Sequence, residues 1–446
     1  MRILIATAGS RGDVAPYTGL GAELARAGHE VTLAATEGFA SLAHGAGLGF
    51  RRLPGDPRAR GGADGRGERE DAGGRRGSGG GGGRQGRGEV RDRRGPGGAG
   101  GRRELMRTAA AFVTELGRGF AEAVADGTEL LLLSATTAQL GWHLSEATGI
   151  PGLGVYLQPT APTGDFPPVV MGTRSLGRAG NRAAGRFALR MADRVYEPAI
   201  GDLRRRLGLP PLSAAAMRRR RERENWPVLH GFSTALVPRP ADWRTGLEVA
   251  GTFWPHVGPE ERLPADLEDF LRTGPRPVLV GFGSMASAEG ERLSEIAVQA
   301  LRRAGLRGIL QSGAAGLAAD GDDVFTVGEV PHALLFPRLA AVVHHAGAGT
   351  TAAALRAGVP AVAVPVTADQ PFWAARLASL GAAPEPVPLR ALTVERLAAA
   401  LDLVTSRQAY STAAARAARR MSGEDGAQLV LRTIERAAAG HRGAPA

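Results

Sequence analysis

The chain contains no cysteine and no lysine in 446 residues. Without cysteine there are no disulfides and no thiolate metal sites, which argues against a small secreted fold held together by covalent staples. No stretch reaches the roughly 18 uninterrupted apolar residues that a membrane span needs. The opening MRILIATAGSRGD is an apolar strand run broken by glycine and charge, unlike the longer apolar core and cleavage site of a signal peptide. These absences predict a soluble, cytoplasmic protein with no stable membrane insertion. Aromatic residues are sparse, at 5%, so the chain lacks the interleaving of aromatic and basic residues that single-stranded nucleic acids stack upon.

The formal charge of +11 raises nucleic acid as a partner, but its distribution argues against it. Residues 55–103 carry 13 arginines against 7 acidic residues, and MRRRRERE at 217–224 adds a further +3. With arginine as the only Lys/Arg type throughout, the bias reads as chain-wide composition rather than a phosphate-reading face. No nucleic-acid partner is expected. The 55–103 stretch is glycine and arginine with almost no branched apolar residue, including five consecutive glycines at 79–83. Such a segment buries too little apolar area to offset its chain entropy, and a disordered insertion is expected there.

What the chain does have is alternation. Strand RILIATA, turn GSRGD, helix APYTGLGAELARAG and strand EVTLAAT open the sequence as a βαβ unit, and parallel strands of this kind require helical crossovers. A second series starts near Arg276: strand RPVLVGFGS, helix SEIAVQALRRAG, strands RGILQSG and DVFTVGEV, strand AAVVHH, helix TTAAALRAG and strand VPAVAVPV. The fold class is therefore α/β, with two Rossmann-like doubly wound parallel sheets facing a cleft. The boundaries read as an N-terminal domain 1–238, a Pro- and Trp-containing linker 239–262, a C-terminal domain 263–421 and a final segment 422–446. The last of these is an amphipathic helix with Ser422 as its start signal.

Ligands of open α/β sheets bind outside the carboxyl ends of the strands. Three loops qualify: AGSRGD, GFGSMAS and HHAGAGTT. In HHAGAGTT, small residues allow close backbone approach, and helix N-terminal amides attract a phosphate; a tight turn capped by threonine reads equally well from the residues alone. Asp369 and Gln370 in TADQP suit hydrogen bonds to neighbouring sugar hydroxyls, and the same Asp-Gln-Pro run is also a helix cap. Asp13 suits a general base and, equally, an N-cap. None of these three loops reads as the dinucleotide fingerprint GxGxxG, which disfavours a nicotinamide oxidoreductase.

Taken together, GEVPHALLFPRLAAVVHHAGAGTTAAALRAGVPAVAVPVTADQPFWAARLASLG, the N-terminal MRILIATAGSRGD, the linker PRPADWRTGLEVAGTFWP and VLVGFGSM resemble the family 1 glycosyltransferases. The branch is that of bacterial natural-product and sterol-glucosyltransferase-like enzymes. The resemblance implies a GT-B fold, with an acceptor-binding N-terminal domain, a nucleotide-sugar-binding C-terminal domain and a last helix that returns to the N-terminal domain. It implies that Ser284, His345, Gly347, Gly349 and Thr350 contact the donor diphosphate, Asp369 and Gln370 the transferred sugar, and Val330 and His332 the vicinity of the base. Asp13 takes the place of the family's catalytic base. The implied reaction is inverting and metal-independent: a hexose or deoxyhexose passes from a UDP- or dTDP-sugar, a co-substrate rather than a cofactor, to a hydroxyl of a lipophilic small molecule. A catalytically silent homologue that serves as a binding partner in a biosynthetic pathway is the alternative. The family usually carries glycine where this chain has Ala346; if the loop needs a positive φ there, alanine costs on the order of 1 kcal/mol relative to glycine.

Overall fold

The computed structural model describes residues 1–55, 99–124, 127–283, 289–319 and 321–442. Seven parallel strands form the first sheet: β1 Arg2–Ala6, β2 Glu30–Ala35, β3 Gly49–Arg52, β4 Leu130–Leu133, β5 Gly152–Tyr156, β6 Val228–His230 and β7 Leu247–Val249, in the order β3-β2-β1-β4-β5-β6-β7. The second sheet has five: β8 Val278–Gly281, β9 Gly308–Gln311, β10 Val324–Val327, β11 Ala341–His344 and β12 Ala361–Ala363, in the order β10-β9-β8-β11-β12. Runs such as Leu130–Leu133 are buried at every position, because helices cover both faces of a parallel sheet and leave no polar alternation.

The topology sets the site. Strand order reverses between β1 and β4 in the first sheet and between β8 and β11 in the second, and a doubly wound sheet opens its ligand crevice at such a point. The loops after β1, β8 and β11 carry GSRGD, the start of GFGSM and HHAGAG. The two halves are joined by side chains as well as by the linker. One continuous apolar cluster runs from Trp142, Phe166 and Phe232 of the first half to Ala346, Phe372, Trp373 and Leu377 of the second. The Arg356 guanidinium lies 4.3 Å over the Trp254 ring of the linker, a pairing of about 0.5–2 kcal/mol.

Several boundaries differ from the sequence expectation. Residues 56–98 of the expected disordered insertion lie outside the described residues, but from Ala99 the chain is helical to Val124, so 99–103 belong to a regular element. Leu247–Val249, read as linker, pairs with β6 as the edge strand of the first sheet; three residues are too few for periodicity to reveal them. The last helix is Gly426–Arg442, and Asp425 rather than Ser422 caps it, its Oδ1 accepting from the Gln428 amide at 3.0 Å. Val430 and Ile434 of this helix are buried with Ile3, Tyr17, Leu20 and Leu24, which attaches the end of the chain to the first sheet. A 30-residue helix, Gly177–Arg206, walls the first half. No described helix is long and apolar enough to cross a membrane.

Candidate active site

Asp13 sits in the first turn of the helix Arg11–Arg26. The residue that caps this helix is Ser10, and Asp13 is the N3 partner in a capping box. Its Oδ2 accepts from the Ser10 amide at 2.8 Å and from the Ser10 hydroxyl at 2.9 Å. The arrangement needs glycine at position 9: φ there is +146°, and an added Cβ would collide with the Asp13 carboxyl. Burial pushes the Asp13 pKa above the usual aspartate value, against the two Ser10 hydrogen bonds, which lower it. A buried carboxylate with a raised pKa is a better proton acceptor than an ordinary one.

Across the cleft, β11 ends at His344, whose Nδ1 accepts from the Ala346 amide at 3.0 Å. This bond closes a turn in which Ala346 stands at φ +61°. Gly347 is the N-cap of the helix Ala348–Arg356, so Gly349 and Thr350 lie in its first turn. The His345 ring is packed between two glycines. An added Cβ would come within 2.8 Å of its Cε1 from Gly283 and 2.5 Å of its Nε2 from Gly347. At Gly349, by contrast, a Cβ would meet nothing within 4 Å among the described residues. Burial holds His345 and His332 down to about 4 and His344 to about 3. At neutral pH all three are therefore uncharged, and His345 is a neutral N–H donor rather than a cation. Its Nδ1 has no partner among the described residues. Ser284 lies outside the described residues.

Asp369 is the N-cap of the helix Gln370–Ser379, with Pro371 in the first turn. Its side chain makes no cap bond. Asp369 Oδ2 instead accepts from Trp373 Nε1 at 2.7 Å and, from the opposite domain, from Gln158 Nε2 at 2.7 Å. Gln370 Oε1 accepts from the amides of Val366 and Thr367 at 2.9 and 3.2 Å, bracing the TADQ turn, where Ala368 has φ +56°. Two non-glycine residues with positive φ, Ala346 and Ala368, thus stand immediately before the two helices that carry HHAGAGTT and TADQ. Backbone strain of this kind costs on the order of 1–3 kcal/mol and concentrates where a site is preorganised. Burial raises the Asp369 pKa, and the charge of Asp13 adds to that rise.

Val330 and His332 lie just beyond β10, where the His332 ring stacks on Phe336 at 4.3 Å. Arg11 crosses the cleft beside them to pair with Glu329 at 2.9 Å. Sequence reasoning assigned no role to Arg11, Gln158, Gly283 or Trp373. Trp373 was legible as the i+4 neighbour of Asp369, and Gln158 as the second residue past the end of β5; Gly283 gave no separate signal. Of the remaining histidines, His143 is structural: it is buried, and its Nδ1 lies 2.8 Å from the Arg204 guanidinium.

Two doubly wound sheets opposed at their switch points, with a half-buried carboxylate on one side and a small-residue phosphate-type turn on the other, define a group-transfer enzyme of GT-B architecture. Comparison with known proteins narrows the class. Residues 310–436 match the C-terminal domain model of erythromycin biosynthesis protein CIII-like proteins, and residues 3–70 match the N-terminal domain of glycosyltransferase family 28. The chain is 36% identical to O-mycaminosyltylonolide 6-deoxyallosyltransferase of Streptomyces fradiae, over 98% of this chain and 97% of that one. It is 31% identical to a sterol 3-beta-glucosyltransferase of Arabidopsis thaliana, over 96% of this chain and 64% of the plant protein. The solved structure of the kitacinnamycin glycosyltransferase superposes with a TM-score of 0.68 at 18% identity, covering 98% of each chain. The chain belongs to the GT-B glycosyltransferases of the antibiotic and sterol glycosyltransferase type, and it is a hexosyltransferase.

Proposed function

We propose that the cleft transfers a hexose or deoxyhexose, with inversion and without a metal ion, from a UDP- or dTDP-sugar to a hydroxyl of a lipophilic small molecule. The acceptor sits in the N-terminal domain and the nucleotide sugar in the C-terminal domain. The observation that carries this reading is the junction at Asp369, whose Oδ2 accepts from Gln158 of the opposite domain at 2.7 Å, with half-buried Asp13 in the loop that opens at the switch point of the first sheet. Two relatives named for a 6-deoxyallosyl transfer to O-mycaminosyltylonolide and for glucosylation of sterols support the acceptor class.

In this reading an acceptor hydroxyl oxygen attacks the anomeric carbon as its bond to the diphosphate oxygen breaks. The hydroxyl proton passes to Asp13, and the bond pair leaves with the nucleoside diphosphate. The charge growing on the leaving group falls to the free amides at the N-terminus of Ala348–Arg356, the Thr350 hydroxyl and the N–H of neutral His345, preorganised donors that need no reorientation. Ser284 completes the phosphate contacts, Val330 and His332 border the base, and Asp369 with Gln370 orients the sugar hydroxyls.

Mass spectrometry of products from UDP-glucose and dTDP-glucose with mixed lipophilic acceptors tests the assignment. A hexosylated product from wild type, absent with Asp13→Ala, is expected. Neither product nor donor binding in wild type would overturn the reading in favour of the silent homologue. Gly349→Ala sharpens it: among the described residues the added methyl meets no atom, and alanine stabilises a helix first turn, so a weaker donor affinity with undiminished Tm reports a ligand at that position.

A further inference from the structure

Gln158 stands two residues beyond β5 and helps to line a cavity of about 260 Å³ in the N-terminal half, together with Thr136, Tyr156, Asn181 and Tyr196. Its Nε2 reaches out of that wall to Asp369 at 2.7 Å. With Trp373 Nε1 on the same oxygen, two N–H donors fix the rotation of the Asp369 carboxylate, and no side chain among the described residues engages Oδ1. The other end of the Gln158 carboxamide, Oε1, has no hydrogen-bond partner among the described residues, on a side chain that lines the cavity. A carboxamide donates at one end and accepts at the other without charge.

The loop that starts at Gln158 is a strut rather than a flap. Asp242 holds its middle, accepting from the Thr163 hydroxyl at 2.6 Å, the Gly164 amide at 2.8 Å and Arg182 Nε at 2.7 Å. Its far end, Phe166, packs on Phe372 of the Gln370–Ser379 helix with ring centroids 5.3 Å apart, and the Arg376 guanidinium covers both rings at 5.2 and 5.1 Å. The acceptor-side loop therefore grips the sugar-side helix at both ends, by a hydrogen bond at its N-cap and an aromatic contact one turn further on.

We infer that Gln158 is a positioning residue that couples the acceptor cavity to the sugar-binding carboxylate: a hydroxyl donated to Gln158 Oε1 from the cavity holds its Nε2 on Asp369, which aims Asp369 at the donor sugar. The inference rests on the function proposed above and adds to it that acceptor binding and sugar recognition are one linked event. Replacing glutamine by glutamate is the informative change, because two carboxylates at hydrogen-bond distance are stable only when they share a proton.

The test uses the full chain, dTDP-glucose and UDP-glucose as donors, and O-mycaminosyltylonolide and cholesterol as acceptors. Gln158→Ala is expected to lose about tenfold to a hundredfold in kcat/KM for the donor, the loss that goes with one charge-assisted hydrogen bond, and to release more nucleoside diphosphate per glycoside formed. Calorimetric titration should show acceptor tightening donor binding in wild type and not in Gln158→Ala. Gln158→Glu should be worst at pH 8.5 and recover relative to wild type towards pH 6, as the carboxyl pair takes up a proton and a donor to Asp369 is restored. A merely structural defect does not reverse with pH. Gln158→Ala within twofold of wild type, or a Gln158→Glu to wild-type ratio flat with pH, overturns the coupling and leaves the transferase assignment standing. Wild type inactive with every donor and acceptor overturns both.

Discussion

Asp13 and Asp369 are alike in three respects: each sits at a helix N-terminus facing the cleft, each is largely withdrawn from water, and each has its pKa raised by burial. They differ in who holds them. Asp13 is satisfied by Ser10, three residues away, within the turn that starts its own helix. Asp369 is held by Trp373 one helical turn on and by Gln158, 211 residues away in the other domain. A carboxylate restrained only locally keeps its geometry whether the cleft is open or closed, as a proton acceptor should. One restrained across the cleft reports on closure, which suits a group that recognises the sugar.

The largest expected effect separates the two by chemistry. Asp13→Asn removes the proposed base and should lower kcat by about 10²–10⁴-fold, with a change in stability of about 1 kcal/mol or less, because an asparagine retains part of the capping geometry; circular dichroism melting against initial rates checks both. A loss of less than tenfold would end the assignment of Asp13. Asp369→Asn should act mainly on the donor, with kcat/KM down by about tenfold to a hundredfold and the shape of the pH profile unchanged. Next comes that profile itself. With Asp13 as the proposed base, transfer needs it ionised, so the acidic limb is expected to fall as pH drops through a pKa raised above the ordinary aspartate value. Ser10→Ala deletes a hydrogen bond that favours the ionised form, so it should move the limb to higher pH, while Asp369→Asn should remove a like charge from the cleft without abolishing the limb. A limb that stays in place in Ser10→Ala would show that Asp13 is not the titrating group.

The smallest effect concerns the strained turn. Ala346→Gly relieves a positive φ worth about 1 kcal/mol but gives up a buried methyl of about 0.8 kcal/mol and adds unfolded-chain freedom. The terms nearly cancel, and a melting temperature within about 3 °C of wild type is expected. Ala346→Val, branched and buried at the same φ, should lower it by clearly more. Equal shifts in the two variants would place the strain elsewhere.

Much of this was legible in the sequence, and unevenly so. The strand and helix alternation around RILIATA and AVVHH, the phosphate-type turn and the two carboxylates could be read because periodicity and capping are local. The family resemblance marked Ala346 as the place where a positive φ would be costly, and the structure has φ +61° there. Three-residue β7 could not be read, since it earns its place only by pairing with β6. The neutral state of His345 also escaped the sequence, because a histidine's charge at neutral pH depends on how much water its neighbours exclude.

By itself the sequence determined which groups are available and the local geometry that presents them: Ser10 and Gly9 fix Asp13, and Gly347 opens the helix behind His345. Only the tertiary structure decided which of these groups meet. Gln158 and Asp369 share no local pattern, and a hydrogen bond between them exists because two independently formed sheets are docked with their switch points opposed. That docking is set by packing of side chains such as Phe166, Phe372 and Trp373, a long-range result of shape and burial that no short window of residues contains.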